Sequence, residues 1–229
     1  MNYEDLTTAD IALLDRCQGS AYTTLQGVYH TFLLAQTIIQ RKIPGVFVEC
    51  GVANGANAGA MAFALFKHGD RREFYLIDSF QGIPLAGPRD DAQPGIGPFI
   101  ADVNLPLEER LRSSGMSVAS ADSVRSNMAR WGLSSIDFHY VEGWFQHTLP
   151  KIIIPEIAML RLDGDLYEST MCCLEHLYPY VSPGGCVLID DYGLAGCRAA
   201  VHEYLERTSC PEQDIRVEVD YGASYWFKT

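Results

Sequence analysis

The sequence predicts an α/β fold, a doubly wound and mostly parallel sheet of seven strands with helices on both faces. Three observations carry this expectation. Short apolar runs alternate along the chain with segments of helical periodicity. Most of these runs are apolar at every position, as strands buried on both faces require. The chain has 229 residues, 48% hydrophobic and 20% charged, which suits one domain over residues 1–229.

Residues 24–39 place Leu25, Val28, Phe32, Leu33, Ile38 and Ile39 near helical spacing, and Pro44-Gly45 stops the pattern, so residues 1–43 read as an N-terminal helical segment. Val46-Phe47-Val48 is then a strand, alanine-rich residues 56–67 a helix, and Phe74-Tyr75-Leu76-Ile77 a second strand. Residues 118–131 read as a helix, 136–141 and 157–162 as strands, 166–180 as a helix, and Cys186-Val187-Leu188-Ile189 as a strand after Pro183-Gly184-Gly185. A helix over residues 195–207 follows, and strands 215–219 and 224–227 close the chain as a hairpin. Residues 79–119 break the alternation with five prolines (84, 88, 94, 98, 106) and five glycines (82, 87, 95, 97, 115). A connection of that length reads as a lid with few internal contacts, closing over a ligand, or else as a disordered or partner-binding insertion.

With 29 acidic against 17 basic side chains the net charge is -12, which excludes nucleic-acid binding through bulk charge. No apolar run approaches the roughly 20 residues that span a bilayer, and the N-terminus lacks a basic signal region, so a cytoplasmic protein is expected. The seven cysteines show no CxxC spacing and the six histidines no HxxxH or HxH spacing, which leaves oxygen as the ligand for any metal.

In a parallel sheet the ligand lies beyond the carboxyl ends of the strands. The first strand ends in Glu49-Cys50-Gly51-Val52-Ala53-Asn54-Gly55-Ala56-Asn57-Ala58-Gly59, a turn that is neither a Walker A loop nor GxGxxG. Gly51 and Gly55 would let the backbone approach a ligand, or Gly55 and Gly59 would simply let helices pack closely. The second strand ends at Asp78, whose carboxylate can accept from both ribose hydroxyls. A nucleoside cofactor without GxGxxG points to S-adenosylmethionine rather than NAD. Two further strand ends carry Asp163-Gly164-Asp165 and Asp190-Asp191-Tyr192. Asp163, Asp190 and Asp191 brought to one edge would repel unless a cation or protons intervened, and a hard oxygen set favours Mg²⁺, the alternative being that these acids cap the helices that follow.

The segments Val48-Glu49-Cys50-Gly51-Val52, Ile77-Asp78-Ser79-Phe80-Gln81-Gly82-Ile83-Pro84, Gly143-Trp144-Phe145-Gln146-His147-Thr148-Leu149-Pro150, Arg161-Leu162-Asp163-Gly164-Asp165-Leu166-Tyr167, and Ser182-Pro183-Gly184-Gly185 through Asp190-Asp191-Tyr192 resemble the macrocin O-methyltransferase family. The resemblance runs from about residue 44 to 204. It implies a class I, Rossmann-like methyltransferase that uses S-adenosylmethionine and Mg²⁺ to methylate a sugar hydroxyl of a glycosylated natural product. It further implies Asp163, Asp190 and Asp191 as metal ligands, Glu49 and Gly51 at the methionine end, Asp78 on the ribose, and Gly143 with Trp144 beside the adenine. Val52, Asn57 and Ser79 complete the expected cofactor set. Asp163 is the first candidate for general base, with His147 and His139 behind it. Many members carry Trp-Arg where this chain has Ala53-Asn54, and an aspartate where it has His147. Of the three tryptophans only Trp144 has motif support, Trp131 and Trp226 reading as core. A homodimer or higher homo-oligomer is expected. The alternatives are a catechol-type metal-dependent O-methyltransferase, or a cofactor-binding module without turnover, against which the three acids argue.

Overall fold

The computed structural model describes residues 6–20, 22–90, 104–208, 214–217 and 222–229. Helix α1, Thr8–Gln18, starts in a capping box: the Thr7 hydroxyl accepts from the Asp10 N–H, and the Asp10 carboxylate accepts from the Thr7 N–H. Asp10 also takes the Lys67 ammonium at 2.8 Å, pinning α1 to α3, Ala56–His68. Between them lies α2, Leu25–Gln40, capped by Thr24. Strand β1, Val46–Cys50, is buried at every residue and leads into α3, which Gly69 ends in the left-handed conformation. Strand β2, Phe74–Asp78, follows; the single turn α4, Leu107–Arg110, lies within the long insertion, and α5, Ala121–Arg130, comes after it. The remaining elements are β3, Phe138–Glu142; α6, Phe145–Thr148; β4, Ile157–Leu162; α7, Tyr167–Leu177; β5, Val181–Ile189; α8, Ala195–Arg207; β6, Arg216–Val217; and β7, Ser224–Phe227.

Among the described residues the strands form one sheet in the order β3-β2-β1-β4-β5-β7-β6. The first five run parallel, and β7 lies antiparallel to β5 and to β6. The chain leaves β1 towards β2 and β3 on one side and returns through β4 to β5 on the other, which opens a crevice above the carboxyl ends of β1 and β4. Side chains alternate between two cores: Phe47 packs with α1, α2, α3 and α5, while Val48 and Cys50 pack with α7 and α8.

Element limits differ from the sequence expectation for identifiable reasons. Ser120 caps α5 through its hydroxyl, so that helix starts at 121 rather than 118. Helix α7 stops at Leu177, where Pro179 converts the last turn to a 3₁₀ turn. Strand β5 starts at Val181 instead of 186, because Pro183-Gly184-Gly185 is absorbed as a register irregularity against β4. Trp131 and Trp226 are core, 5% and 0% exposed, and the six described cysteines are free and buried. No described helix is long and apolar enough to cross a membrane.

The expectation of a loosely held lid over 79–119 needs correction at its two flanks; residues 91–103 lie outside the described residues. The flanks pair backbone to backbone, Ile83 donating to Met116, Ser114 to Ile83 and Leu85 to Arg110. Buried Asp90 accepts from the Tyr167 N–H at 2.7 Å, so the insertion itself caps α7, and buried Arg110 pairs with Glu168 on the same helix. Arg89 lies over the Tyr167 ring and pairs with Glu203 of α8.

Trp226, fully buried against Tyr178, closes the core under β5. Trp226→Ala should cost about 3–5 kcal/mol in chemical denaturation. Ile153→Ala, at a residue 91% exposed, should change stability by less than about 0.5 kcal/mol.

Candidate active site

The crevice over β1 and β4 is lined by the turns that follow β1, β2, β4 and β5, by the start of α6, and by Ser20, Tyr22 and Thr23 from the α1–α2 connection. Gly51 makes the first turn. Its φ is +83°, and a Cβ there would stand 1.7 Å from the Asp163 carbonyl oxygen, so its missing side chain lets β1 and β4 close on each other. Gly55 and Gly59 serve packing instead: a Cβ would meet Met128 and Val124 at the first, Trp131 and Cys17 at the second.

Asp78 braces that turn. Its Oδ2 accepts from the Val52 and Ala53 N–H groups at 2.6 and 2.9 Å, and its Oδ1 from the Phe80 N–H at 2.7 Å. Burial still raises its pKa against these three bonds. Asp78 therefore shapes the loop as well as facing the crevice.

Arg161 is the largest charge in the interior and carried no role in the sequence reading. It sits in β4 with 0% exposure. Its Nη1 donates to Glu49 Oε1 at 3.1 Å and to Asp163 Oδ2 at 2.9 Å, and its Nη2 donates to Asp190 Oδ1. These carboxylates raise its pKa although burial alone would lower it. The sequence signal was present: an arginine inside the otherwise apolar Ile157–Leu162 run needs buried partners.

Glu49, Gly51, Val52, Asn57, Asp78, Ser79, Trp144, Asp163, Asp190 and Asp191 all line the crevice, as the sequence suggested. Gly143 does not. Its N–H donates to the Asp78 carbonyl, which turns the chain so that Trp144 reaches the crevice. The carboxylates that converge most tightly are Asp163, Asp165 and Asp191, whose ligand oxygens lie within 4.8 Å of one another. Of the expected set of Asp163, Asp190 and Asp191, Asp190 stands outside this closest group: Arg161 takes its Oδ1, while the Asp165 N–H donates to Asp191 Oδ2 at 2.8 Å. Asp165 holds a left-handed φ of 55°, strain of the kind that functional turns store. His147 pairs with Glu108, and His139 stacks on Tyr75 beside Glu73; neither lines the crevice, which removes both as bases.

Six carboxylates thus face one crevice that, among the described residues, no lysine, arginine or histidine lines. Burial pushes Glu49 up to about 8 although Arg161 pulls against it, and burial followed by Asp163 and Asp190 pushes Asp165 up to about 8. Asp190 rises to about 6, held back by Arg161, and burial with Asp165 lifts Asp191 well above the ordinary carboxylate range. Groups with raised acid pKa values bind more protons folded than unfolded, so they make stability fall as pH rises. Buried His30, lowered to about 4, acts in the opposite sense below about 6.5. Between pH 6.5 and 8 the metal-free protein should therefore lose thermal stability, and Glu49→Gln should flatten the loss. A melting temperature that climbs over this window would contradict the assignment.

Residues 25–228 match the family described as Macrocin-O-methyltransferase (TylF). The chain is 36% identical over 231 aligned residues to the 8-demethyl-8-(2,3-dimethoxy-alpha-L-rhamnosyl)-tetracenomycin-C 4'-O-methyltransferase of Streptomyces olivaceus, covering 99% of this chain and 84% of the relative. It is 36% identical to the mycinamicin III 3''-O-methyltransferase of Micromonospora griseorubida over 83% of this chain and 71% of that protein. Among solved structures, the O-methyltransferase NovP superposes with a TM-score of 0.74 at 33% identity, covering 90% of this chain and 80% of that one. The strand order, the crevice and these matches agree: the chain belongs to the macrocin O-methyltransferase family and is an S-adenosylmethionine-dependent O-methyltransferase.

Proposed function

We propose that this enzyme, together with a divalent cation, methylates a hydroxyl on the sugar of a glycosylated natural product. The observation that carries the cation is the convergence of acids: oxygens of Asp163, Asp165 and Asp191 lie within 4.8 Å of one another, and the nearest buried cation, Arg161, is already shared by three carboxylates. An all-oxygen set of this kind fits Mg²⁺. The sugar acceptor rests on the relatives, two of which are named for methylating a rhamnosyl-bearing tetracenomycin and mycinamicin III.

When bound, the sulfonium donor supplies the methyl carbon and the divalent ion supplies a Lewis acid beside the hydroxyl that receives it. Within the chain, Glu49 and the turn at Gly51 and Val52 would hold the methionine end, Asn57 and Ser79 would add polar contacts, and Asp78 with Trp144 would take the nucleoside. Asp163, Asp191 and either Asp165 or Asp190 would hold the ion. Asp163 would also accept the hydroxyl proton, a role supported by its backbone carbonyl lying against Gly51 and its carboxylate belonging to the acid cluster. The bond that forms is O–CH₃, the bond that breaks is S–CH₃, and its electron pair stays on sulfur.

Asp163→Asn and Asp191→Asn should each lower kcat by at least about 100-fold, with adenosylhomocysteine affinity within about threefold of the parent by calorimetry. EDTA should abolish turnover of a glycosylated acceptor and Mg²⁺ should restore it. Turnover of aromatic diols with none of any glycoside would move the substrate to the catechol class, and full turnover in EDTA would remove the metal.

A further inference from the structure

Arg161 has no place in the transfer chemistry itself, yet its contacts are built around the transfer site. It occupies the fifth position of a six-residue strand that is otherwise apolar and buried throughout. Its two terminal nitrogens reach the carboxyl ends of three adjacent strands, taking Glu49 near the end of β1, Asp163 after β4 and Asp190 after β5. Meanwhile, among the described residues, its Nε and Glu49 Oε2 are both buried without a hydrogen-bond partner. An arginine retained only for stability is poorly served by this arrangement, since an unpaired buried N–H weakens the fold. The contacts that are made all point to the crevice.

We propose that Arg161 is a positioning residue that orients Asp163 and Asp190 for the divalent cation, an inference that rests on the metal-dependent reading above. The guanidinium occupies Asp163 Oδ2 and Asp190 Oδ1, which leaves Asp163 Oδ1 and Asp190 Oδ2 as the oxygens it does not use. A planar fork sets the angle of both carboxylates at once, and its charge lets them stay close before any ion arrives. The same nitrogen that holds Asp163 also holds Glu49, so the methionine end and the metal end share one fixed group. A lysine would keep the charge and lose the fork, because one ammonium on a flexible stem cannot present two nitrogens to three strand ends.

The test is direct Mn²⁺ binding, followed by electron paramagnetic resonance of the free ion, on the wild type and Arg161→Lys. The expected result is Mn²⁺ affinity at least tenfold weaker in the lysine variant, with activity lost at low Mg²⁺ and largely recovered at saturating Mg²⁺. A merely structural role would lower the melting temperature without moving Mn²⁺ affinity in this way. If Arg161→Lys does not fold, Glu49→Gln relieves one carboxylate, and Arg161→Lys/Glu49→Gln should bind Mn²⁺ at least tenfold more weakly than Glu49→Gln alone. Mn²⁺ affinity within twofold of the parent in the folded variant overturns the positioning role while leaving the proposed function standing. A wild type that binds adenosylhomocysteine but no Mn²⁺ overturns both the role and the metal-dependent reading.

Discussion

Six carboxylates gather where β1, β2, β4 and β5 end, one buried guanidinium pairs with three of them, and most of the local architecture follows from that imbalance. Moving an arginine and its partners out of water is costly, and the cost is offset only when the pairing geometry is good. The parallel register supplies this geometry, since Glu49 of β1 lies directly beside Arg161 of β4 and Arg161 beside Leu188 of β5. Gly51 is required by the same closeness, for any side chain there would enter the Asp163 carbonyl. Burial and mutual repulsion raise the pKa values of Asp165 and Asp191, which Arg161 does not pair.

Much of the fold was legible because the strands are apolar at almost every position, a pattern only a sheet covered on both faces produces. Boundaries were less legible where a single side chain decided them, as with the Ser120 cap and the irregular start of β5. The site was legible to the extent that strand-ending acids announce themselves. What sequence could not show was how the acids divide their partners. Asp190 and Asp191 are adjacent in sequence, yet one turns to Arg161 and the other meets Asp165. Arg161 and Asp165 both stood within a recognised motif; the apolar run around Arg161 could have signalled its burial, whereas the left-handed backbone of Asp165 is visible only in the fold.

The long insertion illustrates a different limit. Its prolines and glycines suggested a segment with few contacts, but Asp90 capping α7 and Arg110 paired with Glu168 tie its described flanks to the helix that follows Asp163 and Asp165. Composition reports the conformational freedom of a segment, whereas buried polar anchors, spaced far apart in sequence, determine where it sits. The contact between insertion and α7 also means that whatever the insertion touches is mechanically close to the acid cluster.

The central claim is that the acid cluster holds a divalent cation against the methyl donor. The most direct measurement is a crystal structure with adenosylhomocysteine and Mn²⁺, phased to show the anomalous signal of manganese. The account predicts one strong peak bonded to oxygens of Asp163 and Asp191, on the crevice side of Arg161, with the cofactor sulfur facing it. A fully occupied cofactor with no anomalous peak at that position would contradict it.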